Sequence, residues 1–335
     1  MAPSFFAVEQ PVISVRDITI RYRGKDSVLY AVDGASFDLE RGKVLALVGE
    51  SGSGKSTAGM SILRILPTAA EIISGSITFE GRDLLSLPEA ELRAIRGRRI
   101  SMIFQDPIAG LNPVVTIGDQ VAEMLTNHER RDKKEVKRRA IEILHGVGLA
   151  DPARVAKAYP FQLSGGMCQR VMIGIATALD PEVLIADEPT SALDVTIQAQ
   201  ILYQLNVLRQ ERGTSILLIT HDFGVVSQMA DDVAVMYAGR VVETGAVGEM
   251  FKAPLHPYTH ALLATRPRVD AHREHLQAIP GNPPEVVAPA EHCPFIPRCN
   301  KVMNVCRLEP APVLRAGEGL SHPVACYNPI WQGPG

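Results

Sequence analysis

Near the N-terminal end the sequence reads Gly49-Glu50-Ser51-Gly52-Ser53-Gly54-Lys55-Ser56, the spacing G-x-x-x-x-G-K-S. Glycines let a backbone wrap closely around an anion with its N–H groups pointing inward. Lys55 adds a point charge for the β- and γ-phosphates of a nucleotide, and the Ser56 hydroxyl a ligand for Mg²⁺. The flanks strengthen the reading. An apolar run, Val44–Val48, precedes the loop, and a helical pattern over Ser61–Leu66 follows it. That strand–loop–helix order brings a helix N-terminus, with its favourable field, to the phosphates.

A second group of residues suits hydrolysis. Leu184-Ile185-Ala186 runs into Asp187-Glu188. With a phosphate loop upstream, the first carboxylate is placed to hold Mg²⁺ and the second to act as general base on water. Alone, two acids at a strand end are merely solvated. His221 follows Ile219-Thr220 and precedes Asp222, and Gln105 ends the apolar run Arg99–Phe104. A lone histidine at a strand end is usually structural; its spacing after Glu188 and the Asp222 that follows favour a functional reading.

A third group is sulfur. Cys168 stands alone, whereas Cys293, Cys299, Cys306 and Cys326 run Cys-x5-Cys-x6-Cys-x19-Cys. Four thiolates are soft ligands for an iron–sulfur cluster or for structural zinc. Zinc sites usually contain a tight Cys-x2–4-Cys pair, and none is present. Four unligated thiols are the plain alternative. No basic stretch followed by an apolar one opens the chain, so no signal peptide is expected. No apolar run reaches the ~18–20 residues that span a bilayer. Disulfides are disfavoured in the cytosolic setting this implies.

The elements that must position these groups follow from patterning. Residues 12–22, Ala35–Leu39, Ser76–Phe79, Arg99–Phe104, Val183–Asp187, Ser215–Thr220 and Val233–Tyr237 read as strands, and residues 117–150 and 196–211 as helical. Strands alternating with helices predict an α/β fold with a largely parallel central sheet. Lys133, Lys134, Lys137, Arg138 and Arg139 surround an apolar stripe and read as a solvated helix face. From Pro267 onward lie 12 of the chain's 24 prolines, which exclude long helices and central strands. That segment, which holds the four cysteines, must be tied down or stay disordered. The 335 residues are 46% hydrophobic with a net charge of −3, so a core is affordable and global charge does not point to nucleic acid.

Residues 163–170, Leu-Ser-Gly-Gly-Met-Cys-Gln-Arg, lie between the phosphate loop and the Asp187-Glu188 pair. With them, residues 12 to about 250 resemble the nucleotide-binding subunit of an ABC transporter. The resemblance implies a P-loop NTPase (RecA-like) α/β core with a parallel sheet, an antiparallel β subdomain, a helical signature subdomain and a Cys/Pro-rich C-terminal extension. The corresponding boundaries are 1–106 with 171–252 for the core, 107–170 for the signature subdomain and 253–335 for the extension. It implies ATP and Mg²⁺ as ligands, held by Tyr22 stacked on adenine, Gly49, Glu50, Ser51, Gly52, Ser53, Gly54, Lys55, Ser56 and Thr57. Ser56, Gln105 and Asp187 are the implied Mg²⁺ ligands, and Glu188, His221 and Gln105 the catalytic set. Ser164, Gly165 and Gly166 are implied to close over the ATP of a second subunit, and Ser191-Ala192-Leu193-Asp194 to cross the dimer interface. Cys168 stands at a variable position of the signature and is read as tolerated variation.

Leu255-His256-Pro257-Tyr258-Thr259-His260-Ala261-Leu262-Leu263 is similar to the start of the C-terminal extension of oligopeptide/dipeptide importer ATPases. So are Phe104-Gln105-Asp106-Pro107, with Leu111-Asn112-Pro113, and Ile279-Pro280-Gly281 with Pro283-Pro284. Some of those ATPases carry a [4Fe–4S] cluster at cysteines arranged like Cys293, Cys299, Cys306 and Cys326, which favours a cluster over Zn²⁺. The resemblance implies a second ABC ATPase, identical or homologous, two transmembrane permease subunits, and an extracytoplasmic substrate-binding protein acting indirectly. It places the chain peripherally on the cytoplasmic face of the membrane, powering uptake of di- or oligopeptides or a related small solute. A soluble ABC ATPase working on nucleic acid or ribosomes is the alternative. The single P-loop, the lack of a long heptad run and the mildly acidic charge count against it.

Overall fold

The computed structural model describes residues 10–25, 27–128, 132–191, 194–265, 279–317 and 320–330. The chain divides into two compact units, residues 1–86 with 230–335, and residues 87–229.

In chain order the first unit begins with β1 (Ile13–Arg23), β2 (Val28–Leu39), β3 (Val44–Val48), α1 (Lys55–Ile62), β4 (Ala70–Phe79) and β5 (Arg82–Asp83). The second comprises α2 (Glu89–Ile95), β6 (Ile100–Ile103), α3 (Ile117–His128), α4 (Lys133–Gly146), α5 (Pro152–Val155), α6 (Gly165–Thr177), β7 (Val183–Asp187), α7 (Val195–Arg212), β8 (Ser215–Thr220) and α8 (Phe223–Met229). The chain then returns to the first unit with β9 (Asp232–Tyr237), β10 (Arg240–Ala246), α9 (Val247–Lys252), α10 (Pro257–Ala264) and α11 (Asn304–Leu308).

In the first unit, β1 pairs antiparallel with β2 and with β4, Ile13 facing Leu39 on one side and Phe79 on the other. Val15, Ile18 and Ile20 are fully buried. Asp17, at φ +47°, marks the slip in register between Val15 and Ile18. A bulge there keeps both flanks facing inward despite the broken alternation. This is the expected antiparallel subdomain. β3 pairs parallel with β9, and β10 pairs antiparallel with β9. Every residue of β3 is buried, the continuous apolar run of a strand covered on both faces.

In the second unit β7 lies between β6 and β8, parallel to both. β7 and β8 are buried along their whole lengths, so Asp187 and Thr220 stand at the C-terminal ends of apolar strands. That is the end of a parallel sheet where ligands bind. The region expected to be helical over 117–150 forms α3 and α4. The Asp132 carboxylate accepts from the Lys134 N–H at the start of α4. Lys133, Lys134, Lys137 and Arg138 are exposed, and Arg138 and Arg139 pair with Glu142. The basic run is a solvated face, as its spacing indicates.

One expectation needs correction. The helix after the phosphate loop starts at Lys55 and stops at Ile62, rather than running over 61–66. Arg64 takes φ +51°, which an α-helix does not accommodate, and Pro67 lies shortly after. The apolar residues Leu63 and Leu66 therefore mark a turn instead of a helical stripe.

The proline-rich C-terminal segment is held by backbone hydrogen bonds in place of long elements. The N–H groups of Tyr30, Thr244 and Ala325 donate to the carbonyls of Val286, Pro323 and Val242 at 2.7, 3.1 and 2.8 Å. Glu243, fully buried, accepts at Oε1 from Leu255 N (2.6 Å) and His322 Nε2 (2.6 Å), and at Oε2 from His256 N (3.0 Å). A buried carboxylate is tolerable because its lone pairs are met this way. Phe295 packs its ring against Tyr237, Tyr258 and His256, which gives the extension a small core. Pro267, where the composition shifts, lies outside the described residues.

Candidate nucleotide-binding and hydrolysis residues

The phosphate loop leaves β3 and enters α1 through Gly54, at φ +99°. A Cβ at Gly54 would stand 2.1 Å from the Ala31 carbonyl oxygen, so this position excludes any side chain. Lys55 is buried and its Nζ donates to the Gly49 and Glu50 carbonyls at 2.8 and 2.9 Å and to Ser53 Oγ at 3.3 Å. The ammonium is thereby folded onto the concave side of its own loop, where an anion would meet it. Ser51 and Gly52 are exposed, whereas Ser53 and Thr57 are buried. The Tyr22 hydroxyl lies 3.2 Å from Thr57 Oγ1, which brings the β1 aromatic beside the loop.

Within the second unit, the three predicted catalytic residues converge. Glu188 follows β7 at φ +44°, and its N–H donates to the Ile219 carbonyl at 2.8 Å. A left-handed non-glycine residue is an energetic exception found disproportionately at working sites. Its Oε1 accepts from His221 Nδ1 at 2.9 Å, and its Oε2 from Gln105 Nε2 at 3.2 Å. The acceptor is a carboxylate, so Nδ1 carries the proton and the imidazole Nε2 is left to face a ligand. The Glu188 side chain is 15% exposed and that of His221 65%. A half-enclosed carboxylate beside an open imidazole suits orientation of a water at the protein surface. Asp187, one residue earlier, is buried. Ser191 donates through both N–H (3.1 Å) and Oγ (3.0 Å) to the Glu188 carbonyl, pinning the loop that follows. Asp194 caps α7, accepting from Thr196 and Ile197 N–H; Ala192 and Leu193 lie outside the described residues.

Ser164 caps α6, its Oγ accepting from Met167 N at 3.3 Å. Ser164 and Gly165 are exposed and Gly166 is half-buried. A helix N-terminus with its capping hydroxyl and first amide groups is thus presented at the surface. Cys168, one turn on, is buried; burial pushes its thiol upward and its Sγ donates to the Pro160 carbonyl at 3.5 Å. It is a small core residue.

Cys293, Cys299, Cys306 and Cys326 line one pocket, walled also by His256 and Phe295. None forms a disulfide. Lys301 and Asn328 N–H donate to the sulfurs of Cys299 and Cys326 at 3.4 and 3.3 Å. Burial raises the Cys293 and Cys299 thiols and pushes Cys326 up to about 12. Burial also lowers His256 to about 4, so its neutral Nδ1 accepts from Tyr258 N at 3.0 Å. Among the described residues, no group of three or more His, Cys, Asp or Glu side chains is arranged to hold a single metal ion. No helix among them is long and apolar enough to cross a membrane.

The family model described as ABC transporter matches residues 32–191, and that described as the C-terminal region of oligopeptide/dipeptide transporters matches residues 242–306. The dipeptide transport ATP-binding protein DppD of Bacillus subtilis is 45% identical over 320 residues, covering 95% of each chain. The chain belongs to the ABC transporter ATP-binding proteins of oligopeptide/dipeptide type.

Other members of this ABC family agree. The oligopeptide transport ATP-binding protein OppD of Haemophilus influenzae is 45% identical over 300 residues, covering 90% of this chain and 93% of its own. The dimeric post-hydrolysis structure of the ATP-binding cassette MJ0796, bound to ADP and Pi, superposes with a TM-score of 0.64 at 28% identity, over 70% of this chain and 98% of its own. The chain is an ABC ATPase with an α/β cassette fold.

Reading the sequence missed three residues of this ABC ATPase, two that contact Glu50 of the phosphate loop and one that contacts the loop after Glu188. Tyr258 Oη accepts from the Glu50 N–H at 2.9 Å. Arg298 grips the Glu50 carboxylate from the C-terminal extension. Gln169 is buried on α6 and donates from Nε2 to the Pro189 carbonyl at 2.8 Å, joining the signature helix to the loop after Glu188. Tyr258 lies in the His-Pro-Tyr stretch that marks the subfamily, so a signal for it existed. Arg298 carries none beyond an arginine set among prolines and cysteines.

Proposed function

We propose that this ABC ATPase powers uptake of di- or oligopeptides, or a related small solute, through two permease subunits. It works as a dimer with an identical or homologous ATPase, peripheral to the cytoplasmic face of the membrane, and a substrate-binding protein delivers cargo from outside. One observation carries the reading: a Glu188 carboxylate flanked by His221 and Gln105 occurs in a chain that continues into the oligopeptide/dipeptide C-terminal region.

The roles follow from the chemistry of each group. Residues 49–57 bind the ATP phosphates, with Lys55 as counter-charge, and Tyr22 stacks on the base. Mg²⁺ keeps several waters and needs few protein oxygens; the Ser56 hydroxyl, the Asp187 carboxylate and the Gln105 amide are the oxygens that would hold it. Glu188 takes the proton of the attacking water, while the His221 imidazole, held through Nδ1, contacts the γ-phosphate. Ser164 and the Gly165 and Gly166 N–H groups close over the phosphate of the second subunit's nucleotide. ATP then binds the closed dimer better than the open one, and its hydrolysis removes that preference. Affinity purification from native membranes in mild detergent is expected to bring down two multi-span permeases and an ABC ATPase partner. Recovery of ribosomes or nucleic acid in their place would retain the ATPase and remove the transport reading.

The four-cysteine pocket supports a [4Fe–4S] cluster. All four cysteines line one pocket, and backbone N–H groups point at the sulfurs of Cys299 and Cys326, as they do at cluster thiolates. Free space in the pocket is about 20 Å³, so a cluster requires the thiols to spread. A bound cation would also hold the thiols deprotonated despite burial. Anaerobic purification is expected to yield about four iron and four sulfide per chain with a visible absorption band. One equivalent of zinc without iron would replace the cluster with a structural zinc site.

A further inference from the structure

The phosphate loop is supported from a distance. Glu50 occupies a variable position of the loop, yet each of its polar groups is engaged. Its carbonyl accepts from Lys55 Nζ at 2.9 Å and its N–H donates to Tyr258 Oη at 2.9 Å. Its carboxylate receives two parallel bonds from Arg298, Nη1 to Oε2 at 2.6 Å and Nη2 to Oε1 at 2.9 Å. Arg298 is itself fixed. Its side chain is 3% exposed, its Nε donates to the Pro280 carbonyl at 2.9 Å, and its guanidinium lies 5.8 Å from the Tyr237 ring centre. The next residue is Cys299, whose sulfur faces the four-cysteine pocket. A bidentate guanidinium–carboxylate pair removed from water fixes orientation as well as distance.

We propose that Arg298 is a positioning residue for the phosphate loop, holding Glu50, and through it the carbonyl that receives Lys55, in the shape that binds ATP. This rests on the reading of residues 49–57 as the phosphate-binding loop. The four-cysteine extension is then a brace for the nucleotide site. Arg298 touches no substrate. Its effect is on how much of the chain holds a binding-competent loop, so it acts on nucleotide affinity and not on the chemical step.

The test uses the full chain, Mg²⁺ and the fluorescent analogue mant-ATP. Arg298→Gln is expected to weaken mant-ATP binding on the order of tenfold, with kcat at saturating ATP within about twofold of the parent, and Glu50→Gln to weaken binding by a similar factor. The double variant is expected to bind no more weakly than the worse single variant, because both remove the same pair. Arg298→Lys, which keeps the charge but not the fork, is expected to recover part of the loss. A purely structural role would lower the melting midpoint and leave the affinity of the folded fraction unchanged, which overturns the proposal. If Arg298→Gln does not fold, Arg298→Lys decides: affinity equal to the parent's overturns the proposal, and a partial loss upholds it. Lys55→Ala separates the two levels. Native mant-ATP binding by that variant removes the phosphate-loop reading and the proposal with it. Loss of binding there, with native affinity in both Arg298→Gln and Glu50→Gln, removes the proposal alone.

Discussion

Replacing Glu188 with glutamine is expected to lower kcat for ATP hydrolysis by about a thousandfold while leaving ATP binding near its native strength. The substitution is close to isosteric. A glutamine amide can still accept from Gln105 Nε2 or meet His221 Nδ1, so the local geometry survives. The positive φ at Glu188 is no harder for glutamine than for glutamate. What disappears is the basic oxygen that takes a proton from water, and with it the charge that orients His221. Steady-state phosphate release alongside a nucleotide-binding isotherm checks both halves. Turnover at the native rate would take Glu188 out of the mechanism. Loss of binding as well as turnover would make Glu188 a prop of the fold and not a base.

The second large effect falls on the loop backbone. Gly54→Ala is expected to destabilise the chain by about 3 kcal/mol, the sum of left-handed backbone strain and a forced shift against Ala31. For a chain of this size that corresponds to a fall in melting midpoint of about 4 °C. ATP binding falls too, because the peptide groups that must point at phosphate move with Gly54. The control lies two residues away. Gly52 also has positive φ, at +78°, but a Cβ there meets nothing within 4 Å. Gly52→Ala therefore carries the strain without the collision and is expected to cost about 1 kcal/mol. Equal midpoints for the two variants, from thermal unfolding without nucleotide, would refute the steric account.

How much of this was legible depends on how local the cause is. Val44–Val48 and Val183–Asp187 are strands wherever they are met, because a strand buried on both faces needs an unbroken apolar run. The glycine-rich turn between β3 and α1 is equally local. Glu188, His221 and Gln105 were readable as candidates from their places at apolar strand ends, although their meeting on one carboxylate was not. The end of α1 was misread because Ile62, Leu63, Ile65 and Leu66 mimic a helical stripe, and the left-handed Arg64 that breaks it has no sequence mark. Arg298 was invisible for a different reason. No periodicity links an arginine in an irregular, proline-rich segment to an acid in a glycine loop, so only the folded chain reveals the pair. The same holds for Glu243 and His322, a buried carboxylate and imidazole that composition alone assigns to the surface.

The sequence separation of these contacts bears on biosynthesis. Glu50 meets Tyr258 across 208 positions and Arg298 across 248. During translation the glycine loop leaves the ribosome long before either partner has been made. For all that time Glu50 is an acid without its guanidinium. Contacts of such span close late, since chain-closure entropy must be met before they give anything back. A ribosome that stalls before residue 298 therefore releases a polypeptide with the complete glycine–lysine motif but without the guanidinium partner of Glu50. On the proposed bracing role of Arg298, full nucleotide affinity is then a property of the nearly finished chain.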